Sequence, residues 1–151
     1  MTTHKNLISI IFFFIIWALM LQLIAYVATN RIAFVPDRSY EGLTYDNTLL
    51  KEGAWPERWW QRFDGNWYLS IVKHGYVYKE GIQSNIVFFP LYPLLIHYFA
   101  PLIGNNLALA GVLISLLSAG ISCVLLYTLA KLEWDEKTAS RAAYLLLLFP
   151  V

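Results

Sequence analysis

Leu7–Ala28, LISIIFFFIIWALMLQLIAYVA, carries no charged side chain, and the reading of this run decides the fold. At about 1.5 Å per residue, a helix of that length matches a hydrocarbon core of about 30 Å. It reads as a first transmembrane helix. A secretory signal has a shorter apolar region, roughly 7–15 residues, ending at a small-residue cleavage site, and no clean site of that kind follows here. An uncleaved signal anchor is the expectation.

The composition points the same way. The chain is 58% hydrophobic and 14% charged, against roughly 25% charged in an average soluble domain. Eleven basic and ten acidic residues give a net charge of +1, so no global field draws in nucleic acid or an acidic partner. Any charge effect is local. The single Cys123 lies in an apolar run and has no intramolecular disulfide partner, which leaves the redox compartment unread.

Residues 30–85 differ in kind from the first span. They hold most of the charges, among them Arg31, Asp37, Arg38, Glu41, Asp46, Lys51, Glu52, Glu57, Arg58, Arg62, Asp64, Lys73, Lys79 and Glu80, and so do not lie in hydrocarbon. Trp55, Trp59, Trp60 and Trp67, with several tyrosines, supply rings that favour the headgroup level. The reading is an ordered loop resting on the membrane surface. Within it, Gly65 to Lys73 has helical spacing, with Trp67, Tyr68, Ile71 and Val72 on one side and Asn66, Ser70 and Lys73 on another. Asp64 is the expected N-cap and Gly75 the expected stop of a short interfacial helix.

Residues 86–104, IVFFPLYPLLIHYFAPLIG, are apolar but interrupted by Pro90, Pro93, His97 and Pro101. Prolines disturb helical hydrogen bonding, and unsatisfied backbone is costly in lipid. This segment is either a kinked span or a juxtamembrane or re-entrant element packed under the loop.

Residues 107–130, LALAGVLISLLSAGISCVLLYTLA, form a clearer span, again without charge. Gly111, Ser115 and Ala119, and separately Ser118 and Ser122, recur at four-residue spacing, which lets another helix approach closely. Ordinary intramembrane packing explains such a stripe as well. A polar loop, Lys131 to Lys137, follows, and residues 139–151 begin a further apolar helix opened by Asp135 or Thr138. From Ala142 to Val151 the run covers about 15 Å, half a bilayer. The expectation is the front portion of a longer polytopic protein. Lys5 before the first span and Lys131, Lys137 and Arg141 near the last loop place both sites in the cytoplasm, with residues 30–85 outside.

The residues able to carry chemistry cluster between Arg62 and Tyr92. Asp64, beside Phe63 and Trp67, suits a base held in a poorly hydrated site, and it equally suits a helix cap worth about 1 kcal/mol. Arg62, Lys73 and His74 are candidate phosphate ligands or solvated headgroup charges. Tyr92 can hydrogen-bond a ligand or sit in the interfacial aromatic belt. His97 has no Cys or His at zinc spacing. No phosphate-binding glycine loop, nucleophile elbow or nucleotide fingerprint occurs.

RFDGNWYLSIVKHGY (62–76), followed by NIVFFPLYPLL (85–95), resembles the PIG-V type of GPI mannosyltransferase II family and its bacterial relatives, integral membrane glycosyltransferases of the GT-C superfamily. The matching parts are Phe63-Asp64, Trp67-Tyr68, Gly75-Tyr76 and Phe88 to Pro93; the family more commonly has Trp where this chain has Phe63. The resemblance implies an all-α, polytopic integral membrane protein, with a large outward first loop containing short interfacial helices. It implies a sugar taken from a polyprenyl-phosphate donor on the extracytoplasmic face and passed to a lipid or glycan acceptor, with membrane lipids as surroundings. Asp64 would be the catalytic residue. Arg62, Asn66, Tyr68, Lys73, His74, Tyr76 and Tyr92 would contact substrate, and no cofactor is required, a divalent metal being left open. Location follows as the cell membrane of a bacterium or the endoplasmic reticulum of a eukaryote. The competing expectation is a non-catalytic membrane subunit or truncated scaffold that pairs through the Gly111, Ser115 and Ala119 face.

Overall fold

The computed structural model describes residues 2–31, 60, 64–78, 80, 81 and 84–148. Among them the chain is helical, with no strand. The elements are α1 (Thr2–Arg31), α2 (Gly65–His74), a 3-10 turn at Asn85–Val87, α3 (Leu91–Phe99) running into a 3-10 turn at Ala100–Ile103, α4 (Leu107–Glu133) and α5 (Glu136–Leu148). Two helical stretches, Lys5–Ala28 and Leu107–Glu133, are long and apolar enough to cross a membrane. They coincide with the two runs read from the sequence.

Two compact units emerge, one made of Met1–Ile24 with Ser115–Val151 and the other of Ala25–Ile114. In the first, Ile10, Cys123, Tyr127, Ala130, Ala139, Ala143 and Leu147 form the buried cluster. The spacing of Ala139, Ala143 and Leu147 puts one face of α5 inward, and small side chains there allow close helix approach. Phe13 meets Tyr144 edge-on at 5.0 Å, and the hydroxyls of Ser9 and Tyr144 are 3.0 Å apart. The Phe14 ring lies 3.2 Å from where a Cβ on Gly120 would stand. Gly120 thus makes room for an aromatic ring of α1.

The α4–α5 corner carries the polar groups of this unit. Lys131 Nζ lies 3.2 Å from Glu136 Oε1, and the Tyr127 hydroxyl donates to the same oxygen at 3.4 Å. Asp135 Oδ1 accepts the Thr138 amide at 2.8 Å, so Asp135 opens α5, one of the two residues expected to do so. The helix begins at Glu136, three residues earlier than periodicity alone suggested, because the cap and first turn are polar and lie outside the apolar pattern.

In the second unit Leu69, Ile96, Ala100, Ala108 and Ala110 are buried, with Trp60, Val72, Tyr92, Phe99, Ile103, Leu107 and Ile114 packed around them. The prolines of residues 86–104 fall where helices tolerate them. Pro90 precedes α3, with its carbonyl accepting the Leu94 amide at 3.0 Å, Pro93 lies in the first turn, and Pro101 opens the following 3-10 turn. The segment is therefore divided into a 3-10 turn, α3 and a second 3-10 turn. The nine residues of α3 and the four of the second turn reach about 21 Å, short of a hydrocarbon core of about 30 Å. Left-handed Gly104 and Asn105 reverse the chain, and Asn106 Oδ1 caps α4 through the Leu109 amide at 2.9 Å.

Candidate functional site

Helix α2 carries the charged and aromatic motif, and its ends behave differently from one another. At the C-terminus Gly75 adopts φ 76°, and its amide bonds the Ile71 carbonyl at 2.9 Å, the expected glycine stop. At the N-terminus Asp64 is not the expected side-chain cap. Its φ of −67° and ψ of −14° are helical, and its side chain makes no capping bond. Asp64 does hold the N-cap position, and its carbonyl accepts the Trp67 and Tyr68 amides at 3.1 and 3.3 Å as the first bonds of the helix, but side-chain capping needs an extended backbone there. The carboxylate is left exposed, without the dry surroundings read from its neighbours. Phe63 and Arg62 lie outside the described residues.

Trp67 and Tyr68 stand three and four positions beyond Asp64, on the same flank of the helix. They are braced from outside the helix. Phe88 stacks on Trp67 at 5.9 Å and meets Tyr68 edge-on at 5.0 Å, while Tyr92 meets Tyr68 edge-on at 4.9 Å. The two sequence elements singled out on either side of residue 80 therefore form one aromatic wall. Pairs of this kind contribute about 0.5–1.5 kcal/mol each beyond burial.

Asn66 lies within the first turn of α2, and its Oδ1 is buried with no hydrogen-bond partner. An orphaned buried acceptor costs about 1–3 kcal/mol, which a donor hydroxyl placed beside it would recover. Gly65 explains the close backbone approach at this point. A Cβ on Gly65 would stand 2.9 Å from the Trp60 carbonyl oxygen.

The remaining candidates divide by geometry. Lys73 and His74 are exposed at the far end of α2. Lys73 stands nine positions from Asp64, about 13 Å along the axis and half a turn around it, so α2 does not bring the two together. Ser70, expected on a polar face, is buried at 6% exposure beside Leu69 and Ile71. Three consecutive buried residues mean that α2 is packed on more than one side. It is a core element here, not a helix with one wet face.

Tyr76 and Tyr92 both spend their hydroxyl protons on backbone. Tyr76 donates to the Phe88 carbonyl at 2.8 Å, and Tyr92 to the Gly111 carbonyl at 2.9 Å. The sequence reading missed Asn85. Buried at 3% exposure, its Oδ1 accepts the Val77 amide at 2.8 Å and its Nδ2 donates to the Gly75 carbonyl at 3.1 Å. One amide side chain thus fastens the end of the helical motif to the start of the proline-aromatic motif. A lone Asn in an apolar flank gives no spacing signal that would have marked it.

Beside this clasp lies an open groove of about 380 Å³ lined by Tyr76, Ile86, Val87, Phe88, Phe89 and Pro90. Its walls are mostly apolar. Among the described residues no group of three or more His, Cys, Asp or Glu side chains could hold a metal ion. Gly111, the first member of the expected helix-pairing stripe, is buried against Tyr92 and Ile96 of its own chain, and Ser122 bonds the Ser118 carbonyl within α4 at 2.8 Å. Compared with protein families, curated proteins and solved structures, the chain matches none.

Proposed function

We propose that this chain belongs to a multi-pass membrane glycosyltransferase, mannosyltransferase-like, that moves a sugar from a polyprenyl-phosphate carrier to a lipid or glycan acceptor on the extracytoplasmic face. The observation that carries the reading is the exposed Asp64 carboxylate, released from capping and set at the end of the Trp67–Tyr68–Phe88–Tyr92 wall. A structural cap would have spent that carboxylate on first-turn amides. Two apolar span-length helices with many large exposed apolar side chains support a bilayer as solvent, in the cell membrane of a bacterium or the endoplasmic reticulum of a eukaryote. The resemblance of residues 62–76 and 85–95 to the PIG-V type family supplies the reaction class.

In this mechanism Asp64 accepts the acceptor hydroxyl's proton as that oxygen attacks the anomeric carbon, and the bond to the lipid phosphate breaks with inversion through an oxocarbenium-like transition state. The aromatic wall presents flat apolar faces to the sugar. The groove along Phe88–Pro90 takes the first isoprene units of the carrier. Arg62, Lys73 or His74 offsets charge on the departing phosphate; the 13 Å separation along α2 favours Arg62 over Lys73 for a phosphate near Asp64.

The test is donor turnover by the full-length protein in proteoliposomes supplied with a radiolabelled polyprenyl-phosphate hexose. Release of the sugar to an added acceptor supports the proposal. Complete stability of the donor, with protein correctly inserted and a crude acceptor mixture present, rejects it.

A further inference from the structure

Helix α3 with the 3-10 turn after it has one face committed to the protein and one left exposed among the described residues. Pro93, Ile96 and Ala100 are buried, whereas Leu91, Leu94, Leu95, Tyr98 and Leu102 are 65%, 50%, 44%, 70% and 76% exposed. The second set falls at i, i+3, i+4, i+7 and i+11, a single stripe along the axis. Val87 and Phe89, just before the helix, extend it at 74% and 83% exposure.

The chemistry of the surroundings selects the occupant. From Gly81 to Ala130 the chain has no Asp, Glu, Lys or Arg, so the stripe's own segment brings no formal charge, its exposed polar neighbour being His97 beside Tyr98. A convex ridge of leucines without flanking charge is solvated by hydrocarbon at least cost. The stripe is also continuous with a span-capable helix. Gly104 to Asn106 turn α3 directly into α4, and Tyr92 and Ile96 pack on Gly111 in the second turn of α4, so the medium around the start of α4 also surrounds the outer face of α3. At about 21 Å the helical part Leu91–Ile103 is shorter than a core of about 30 Å and ample for one leaflet.

We propose that Ile86 to Leu102 is a lipid-facing element that enters one leaflet without crossing it, its outer stripe of Leu91, Leu94, Leu95, Tyr98 and Leu102 being covered by acyl chains. This rests on the membrane reading of the preceding section. Tyr92 bonded to Gly111 holds the element against α4, and Gly104 with Asn105 turns the chain into α4.

Nitroxide labels at single cysteines in the full chain, in a Cys123→Ser background and reconstituted in liposomes, test it through accessibility to oxygen and to a water-soluble nickel chelate. Leu94→Cys, Tyr98→Cys and Leu102→Cys are the reporters, with Leu125→Cys on α4 as the span reference. The expected result is oxygen access several-fold above nickel access at all three reporters, with depths confined to one leaflet. Nickel access at the reporters with Leu125 protected overturns the proposal and leaves the membrane reading standing. Exclusion of both reagents also overturns it, because protein then covers the stripe. Depths that pass through the bilayer centre between Leu94 and Leu102 overturn it in favour of a crossing. Nickel access at Leu125 as well refutes the membrane reading itself.

Discussion

The Tyr92 hydroxyl donates to the Gly111 carbonyl at 2.9 Å, in a gap that exists because Gly111 has no side chain. A Cβ at Gly111 would stand 2.9 Å from the same hydroxyl oxygen and 3.4 Å from Ile96 Cδ1. This contact fixes α3 on α4, and through Tyr68 and Phe88 it fixes the aromatic wall beside Asp64.

Gly111→Ala therefore overpacks the joint and is expected to destabilise by about 1–3 kcal/mol. Tyr92→Phe loses one hydrogen bond, about 0.5–1.5 kcal/mol. The double variant removes the clashing hydroxyl and is expected to be more stable than Gly111→Ala alone. Thermal unfolding in detergent gives the cycle; strict additivity of the two changes would contradict the joint.

Gly65→Ala meets backbone, not a flexible side chain, because the Trp60 carbonyl lies where the new methyl would stand. The first turn of α2 has to move, and Asp64 and Asn66 move with it. The expected outcome is a loss of transfer activity of roughly 10²-fold, the scale on which small misplacements of reacting groups act, with expression retained. Unaltered turnover would show that the position of this turn does not matter to the chemistry.

Asn85→Ala leaves the Val77 amide and the Gly75 carbonyl without their partner. Two bonds lost at a buried side chain cost about 1–3 kcal/mol. The effect is expected to be local, read as faster amide hydrogen exchange at Val77 and around Phe88. Exchange in α5 should be unchanged.

Asp135 is held below the usual carboxylate range, first by the Thr138 side chain and then by the Thr138 amide at the start of α5, with Lys137 and Arg141 adding to both. A folded-state value depressed in this way contributes stability that is present above the unfolded-state value and lost as pH falls through the folded one. Helicity of residues 136–148 is expected to decline on acidification below the ordinary carboxylate range in the wild type. In Asp135→Ala that dependence should shrink, as measured by site-resolved exchange.

The two span-length apolar helices were legible because charge-free apolar length is a property of composition alone, and Leu7–Ala28 and Leu107–Ala130 show it without help from tertiary contacts. The glycine stop at Gly75 was legible for a similar local reason. The prolines of residues 86–104 marked an interruption without fixing its form, since their effect depends on their place in a turn, and only the structure puts Pro90, Pro93 and Pro101 at or near element starts. Ser70 looked wet on a helical wheel because a wheel does not show packing on a second side. Asp64 looked like a side-chain cap because its type and place fit one, whereas such capping depends on backbone angles that residue identity does not fix. Asn85, Gly65 and the Tyr92–Gly111 bond are long-range or steric relationships, absent from any local pattern.

The central claim is that Asp64 acts on substrate. It is tested most directly by sugar transfer from a radiolabelled polyprenyl-phosphate hexose by wild type and Asp64→Asn at equal reconstituted protein. Asparagine keeps the size and the exposed position but cannot take a proton. The account predicts a fall in turnover of about 10²–10⁴-fold, with unchanged donor binding and thermal stability. Turnover within a few-fold of wild type would contradict it.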